Sequence, residues 1–159
     1  MDGAHSLERC EEVTSETLSA VFAALHSHRI HLEGTILKPN MVISGKKAAA
    51  RANPQQVAEA TVRTLKRYVP SAVPGIAFLS GGQGSAEATE HLNLMNKMGP
   101  LPWELTFSYG RALQDEALKA WGGKPENFAA GQKAFFRRAK LNGLARTGSY
   151  TAKSEQEAA

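Results

Sequence analysis

Leu7, Cys10, Val13, Leu18, Val21 and Leu25 recur at the three- and four-residue spacing of one helical face. That predicts a long amphipathic helix over residues 6–28, with Ser6 capping its first turn. Residues 30–37 then alternate loosely and are rich in Ile, Leu and Thr, as a strand should be. Pro39 cannot extend a strand ladder, so Lys38 stands at the carboxyl end of that strand. Residues 43–51 read as a polar, basic loop over the same face. Asn53 and Pro54 open a second helix, as a cap and a first-turn proline, with Val57, Ala60, Thr61, Leu65 and Tyr68 as its buried stripe. Pro70 and Pro74 end it, and the apolar run at residues 75–79 predicts a strand covered on both faces. A third helix over residues 85–97 turns Ala88, Leu92 and Met95 inward. Residues 103–109 alternate like a strand and stop at Gly110. Two helices follow, over residues 111–121 and 126–144, the second with Phe128, Phe135, Phe136 and Ala139 as its apolar side. Residues 148–159 read as a polar, mobile tail. Trp103 and Trp121 read as packing residues and Glu33 as structural.

Strands separated by helices long enough to cross over predict an α/β fold with a parallel sheet. Three strands cannot close a barrel, which ordinarily takes about 250 residues. The chain is therefore an open three-stranded sheet or a part of something larger.

Composition narrows the class. With 42% hydrophobic and 21% charged residues, the 159-residue chain fits one globular domain. No apolar run approaches the roughly 20 residues of a membrane span. Residues 1–5 carry neither the basic start nor the apolar core of a secretory leader, so the expectation is a soluble, cytoplasmic protein. Cys10 is the one cysteine, which excludes a disulfide framework. The net charge of +4 is spread along the chain without aromatic interleaving, so nucleic acid is not an expected partner. His26, His28 and His31 are too poorly phased to share a helix face and read as surface histidines, so no metal site is expected.

The chemistry centres on Lys38. In an α/β protein ligands bind at the carboxyl ends of parallel strands, where this lysine lies. A lysine drawn into apolar surroundings favours its neutral form, a nucleophile able to form an imine with a carbonyl. The alternatives are a solvated side chain or a fixed cation holding a phosphate. Both later strands end in glycine-bearing loops that open helices. One carries Leu79, Ser80, Gly81 and Gly82, the other Gly110 and Arg111. Glycines let backbone amides approach an anion, a helix amino terminus adds a favourable dipole, and Arg111 adds a bidentate clamp. Together these features point to a phosphorylated carbonyl compound.

Four segments carry a resemblance: LEGTILKPNMV (32–42), FLSGGQ (78–83), TFSYGRALQ (106–114) and LKAWGGK (118–124). In this order they resemble the carboxyl-terminal half of the Schiff-base-forming, class I fructose-bisphosphate aldolases. The resemblance implies a TIM (β/α)8 barrel, of which this chain holds about the last three strands with their helices in residues 1–147. It implies Lys38 as the imine-forming amine. Leu79, Ser80, Gly81 and Gly82 would be one wall of the ketose-phosphate site, and Gly110 and Arg111 the second. It implies cleavage of fructose 1,6-bisphosphate to dihydroxyacetone phosphate and glyceraldehyde 3-phosphate in glycolysis, with no cofactor or metal. The complete enzyme would be a homo-oligomer, a tetramer by the same resemblance.

The family carries its acid/base carboxylates and further lysines on the first five strands, which this chain lacks. Such groups each contribute about 10²- to 10⁴-fold, so little turnover is expected of the chain alone. The chain also ends without the terminal tyrosine of animal members. Three readings follow: a fragment of an aldolase, a non-catalytic half-barrel that binds phosphate or a protein partner, and an enzyme that uses Lys38 only as a cation. A lone three-stranded piece would leave two sheet edges unpaired, so association is expected.

Overall fold

In the computed structural model the described residues are 2–157; Met1 and the last two positions of the polar tail, 158 and 159, lie outside them. Helix α1 (Leu7–Ser27) starts under Ser6, whose hydroxyl accepts from the Arg9 amide at 3.2 Å. Its buried side is Cys10, Thr14 and Leu18, narrower than the periodicity predicts, and Val13 and Val21 are exposed. The cause is one-sided support. α1 packs on α2 (Pro54–Tyr68), where Arg63 reaches both oxygens of Glu11 at 2.8 and 2.7 Å, and its other flank meets solvent.

The strand expected over residues 30–37 is only β1, Ile36–Leu37. A single 3-10 turn, Leu32–Gly34, takes the rest. The hydroxyl and the amide of Thr35 both donate to the Leu32 carbonyl, at 2.8 and 3.0 Å, so the β-branched residues close a turn instead of a ladder. The segment after Pro39 also departs from expectation. Met41, Val42, Ile43 and Ser44 are buried, threaded between α1 and α2. The Val42 amide donates to Thr61 Oγ1 at 3.0 Å and the Ile43 amide to Cys10 Sγ at 3.4 Å, which keeps both donors satisfied away from water.

α2 begins with a full capping box, Asn53 and Gln56 each serving the other's amide, and buries seven residues from Val57 to Leu65. It leads to β2 (Gly75–Phe78), then α3 (Ser85–Lys97) and β3 (Glu104–Phe107). The three strands form one parallel sheet in sequence order, with Ile36 opposite Gly75 and Ala77 opposite Thr106. Leu37, Ile76, Phe78, Leu105 and Phe107 join the core beneath the helices. Alternation puts Ile36, Ala77 and Thr106 on the other face. Among the described residues no helix covers that face, and Ile36 on it is 63% exposed.

α4 (Arg111–Trp121) and α5 (Phe128–Arg146) pack on one another at the end of the chain. The expected apolar side of α5 is wrong: Phe128, Phe135 and Phe136 are exposed, and Gly131, Arg138, Leu141 and Ala145 face inward. Trp121 is likewise 40% exposed, whereas Trp103 is buried with its indole donating to the Pro70 carbonyl at 3.0 Å. An arginine can occupy the inner face because its charge is met there. Arg138, 1% exposed, contacts Glu116 at 2.6 Å and Glu155 at 2.7 Å. Glu155 belongs to a short helix, α6 (Ala152–Glu157), within the stretch read as a polar tail. It also accepts from the Tyr150 hydroxyl at 2.9 Å and pairs with Arg137 at 3.0 Å. Burial opposes its ionisation, yet hydrogen bonds from Arg138 and Tyr150 hold its carboxyl below the ordinary range. Among the described residues no helix is long and apolar enough to cross a membrane.

Removing one partner of a buried pair leaves an uncompensated charge, at a cost of about 3 kcal/mol, whereas an exposed pair contributes about 1 kcal/mol or less. Glu155→Gln is therefore expected to lower the urea midpoint clearly, and Glu104→Gln, which breaks only the exposed contact to Arg146, to leave it nearly unchanged. Equal midpoints for the two variants would contradict this assignment.

Candidate functional site

The sheet ladder runs on past the end of β1. The Leu79 amide donates to the Pro39 carbonyl at 3.1 Å, and the Ser108 amide to the Phe78 carbonyl at 3.0 Å, so the carboxyl ends of the three strands stay side by side. Lys38 precedes that first bond by one residue and Ser80 follows it by one. Alternation carries Lys38 to the open face with Ile36, and its side chain is exposed. Half-buried Leu79 shares that face by the same alternation.

After Leu79 the chain turns tightly. Gly81 and Gly82 have φ of 56° and 78°, a left-handed pair that side-chain-bearing residues rarely adopt. The turn is fixed from beneath by Gln83, whose amide and side-chain nitrogen both donate to the Ser80 carbonyl at 3.0 Å. Gln83 then spends its carbonyl oxygen on His91 Nδ1 at 2.6 Å. Because Gln83 Oε1 can only accept, the network assigns the proton to His91 Nδ1. Burial pushes the imidazole down to about 4, so His91 stays neutral near neutrality.

A second contact ties the two glycine loops together. The Ser85 hydroxyl, at the start of α3, donates to the Ala112 carbonyl in the first turn of α4 at 2.6 Å. Ser80, Gly82, Ser85 and Arg111 thereby line one cavity of about 460 Å³, with Lys46 and Asp115 also on its wall. Two helix amino termini border it, and each favours an anion. Gly81 lines an adjoining cavity of about 240 Å³ with Lys46, Arg51 and Glu87. Gly110 caps α4 at the edge. Lys38 and Leu79 line neither cavity; they belong to the open sheet face beside it.

The family model described as "Glycolytic: Fructose-bisphosphate aldolase class-I" matches residues 1–159. The chain belongs to the class I fructose-bisphosphate aldolase family. It is 55% identical to fructose-bisphosphate aldolase B of Gallus gallus over 99% of this chain and 44% of that protein. To the cytosolic fructose-bisphosphate aldolase 4 of Arabidopsis thaliana it is 53% identical, over 94% of this chain and 38% of that one. Among solved structures, the Plasmodium falciparum fructose-bisphosphate aldolase in complex with TRAP and a small-molecule inhibitor superposes with a TM-score of 0.92 at 51% identity. The match covers 95% of this chain and 44% of that one. The chain thus spans less than half the length of these aldolases, and its three-stranded parallel sheet with helices on one face is a partial barrel of their TIM type.

Three residues of this candidate site carry no signal in the sequence. Gln83 and His91 support the glycine turn from below, and Ser85 joins the two loops. Their roles depend on contacts across 8 and 27 positions, and neither period nor motif signals them. Lys46 stands out in the sequence only as part of a basic loop.

A buried neutral His91 also sets a pH dependence. The unfolded chain takes up a proton below about 6.5 and the folded chain only below about 4, so stability is complete above pH 6.5 and falls as pH drops toward 4. The loss reaches about 3 kcal/mol over that window. His91→Gln is expected to flatten this fall in urea-unfolding midpoints, and the His91 ring signals of the native protein should stay those of a neutral imidazole at pH 5.5. A ring that titrates near 6.5 in the folded state would disprove the account.

Proposed function

We propose that this chain supplies the imine lysine and the ketose-phosphate site of a fructose-bisphosphate aldolase, and that activity belongs to the complete barrel. The observation that carries the reading is the Pro39–Leu79 bond, which sets the Lys38 strand end beside the Ser80 turn whose cavity holds Arg111. The Lys38 amine would add to the ketose carbonyl and lose water to give a protonated imine. That imine accepts the electron pair of the neighbouring carbon–carbon bond as it breaks, while a base removes the proton of the adjacent hydroxyl and an aldehyde leaves. Protonation and hydrolysis then return the amine and release the ketone. The bond that breaks in fructose 1,6-bisphosphate gives dihydroxyacetone phosphate and glyceraldehyde 3-phosphate, a step of glycolysis.

In this reading Ser80, the Gly81 and Gly82 amides, Gly110 and Arg111 bind the phosphate of the ketose, with Leu79 beside them on the open sheet face. The proton transfers would fall to groups outside this chain. Those groups, a cytoplasmic setting and self-association of the whole enzyme all belong to the same proposal, and the exposed Leu118, Phe128 and Phe136 support the last.

One observation favours a second reading, a half-barrel that binds phosphate without chemistry. Among the described residues the one carboxylate lining the cavity is Asp115, and it is paired with Lys119 at 2.6 Å. Borohydride reduction of the full chain with dihydroxyacetone phosphate separates the two. Hydride addition to an imine leaves a stable secondary amine, so mass spectrometry should find the adduct on Lys38, and Lys38→Met should abolish it. Arg111→Met, which removes a charge-assisted contact, should raise the half-saturating concentration about tenfold or more. Reversible binding with no adduct would replace the aldolase reading with the second one.

A further inference from the structure

We propose that Lys46 is a second cation of the phosphate site, set against Arg111 and held there by the amino-terminal segment of the chain. This rests on the phosphate reading above and adds to it a residue from a different loop.

The first observation is how firmly the backbone of Lys46 is placed. Its two neighbours are both tied down: the Gly45 amide donates to the His5 carbonyl at 2.9 Å and the Lys47 amide to the Gly3 carbonyl at 3.0 Å. The Ala48 amide returns to the Gly45 carbonyl at 3.0 Å and closes the turn. The two backbones approach as nearly as only glycine permits, since a Cβ on Gly45 would stand 2.1 Å from the Gly3 carbonyl oxygen. Lys46 is therefore rooted in a double backbone clamp instead of a free loop.

The second observation is where the side chain ends. Its Nζ lies 2.8 Å from where a Cβ on Gly82 would stand, against the left-handed Gly81–Gly82 turn. Lys46 lines both the cavity shared by Ser80, Gly82 and Arg111 and the adjoining one with Gly81. Two cations from separate elements thus line one cavity.

The third is what occupies Lys46 now. Its contact with Asp2 spans 3.3 Å, with the two side chains 50% and 84% exposed. A pair that exposed contributes little and can be exchanged for a phosphate dianion at little cost. The carboxylate on the cavity wall, Asp115, is already taken by Lys119. The ammonium, a compact point charge on a flexible stem, then closes on the phosphate from the Gly82 side while Arg111 closes from α4.

The test is an amide NMR titration of the full 159-residue chain with inorganic phosphate and, separately, with dihydroxyacetone phosphate. Both should shift the Gly81, Gly82 and Lys46 amides. Lys46→Met is expected to weaken both ligands about tenfold. Lys46→Arg should restore most of the affinity, Asp2→Asn should bind at least as tightly as the unaltered chain, and the urea midpoints of all three should stay put. Affinity unchanged in Lys46→Met, with Arg111→Met still impaired, would overturn the role of Lys46 and leave the phosphate site standing. Lys46→Arg as weak as Lys46→Met, or weaker binding by Asp2→Asn, would overturn it also. No shift of the Gly81 and Gly82 amides with either ligand would remove the phosphate site itself and Lys46 with it.

Discussion

One backbone bond organises the candidate site of this chain. Pro39 has no amide hydrogen and ends β1, yet its carbonyl still accepts from Leu79, so the ladder outlives the strand by two residues. The extension decides what lies beside what. A lysine at the strand end and a left-handed glycine turn on the next strand become neighbours without any side chain having to join them. The chain after Pro39 is then free to dive inward, and the burial of Met41 to Ser44 between α1 and α2 anchors the strand end from the far side.

The support of the site is built in layers below that bond. Gln83 satisfies the Ser80 carbonyl twice and is itself fixed by His91, so a buried neutral ring stabilises the shape of the glycine turn. Ser85 does the equivalent between loops. Each support lies on α3 or just before it, which makes this single helix the base for both walls of the cavity.

Much of this was legible in the sequence, for identifiable reasons. α2 and α3 could be read because caps, prolines and a 3.6-residue period agree with one another there. The four aldolase-like segments named the family, and the structure gathers Ser80, Gly82 and Arg111 around one cavity as the glycine loops implied. What failed did so through contacts that a linear pattern does not encode. Thr35 closes a turn with the same composition a strand would have. α5 shows three phenylalanines outward and an arginine inward because two glutamates, 22 and 17 residues away, neutralise that arginine. Lys46 looked like any loop lysine, because its neighbours' partners are the carbonyls of residues 3 and 5.

The inward arginine carries a consequence for how the molecule is made. A growing chain completes all three strands and most of its helices before residue 155 exists, so Arg138 waits in an apolar setting with only half its compensation. A carboxylate made after α5 is thus the one that completes the pairing of a residue inside it. A nascent chain arrested just short of residue 155 would hold α1 to α5 and the sheet yet leave the buried Arg138 guanidinium facing Glu116 alone.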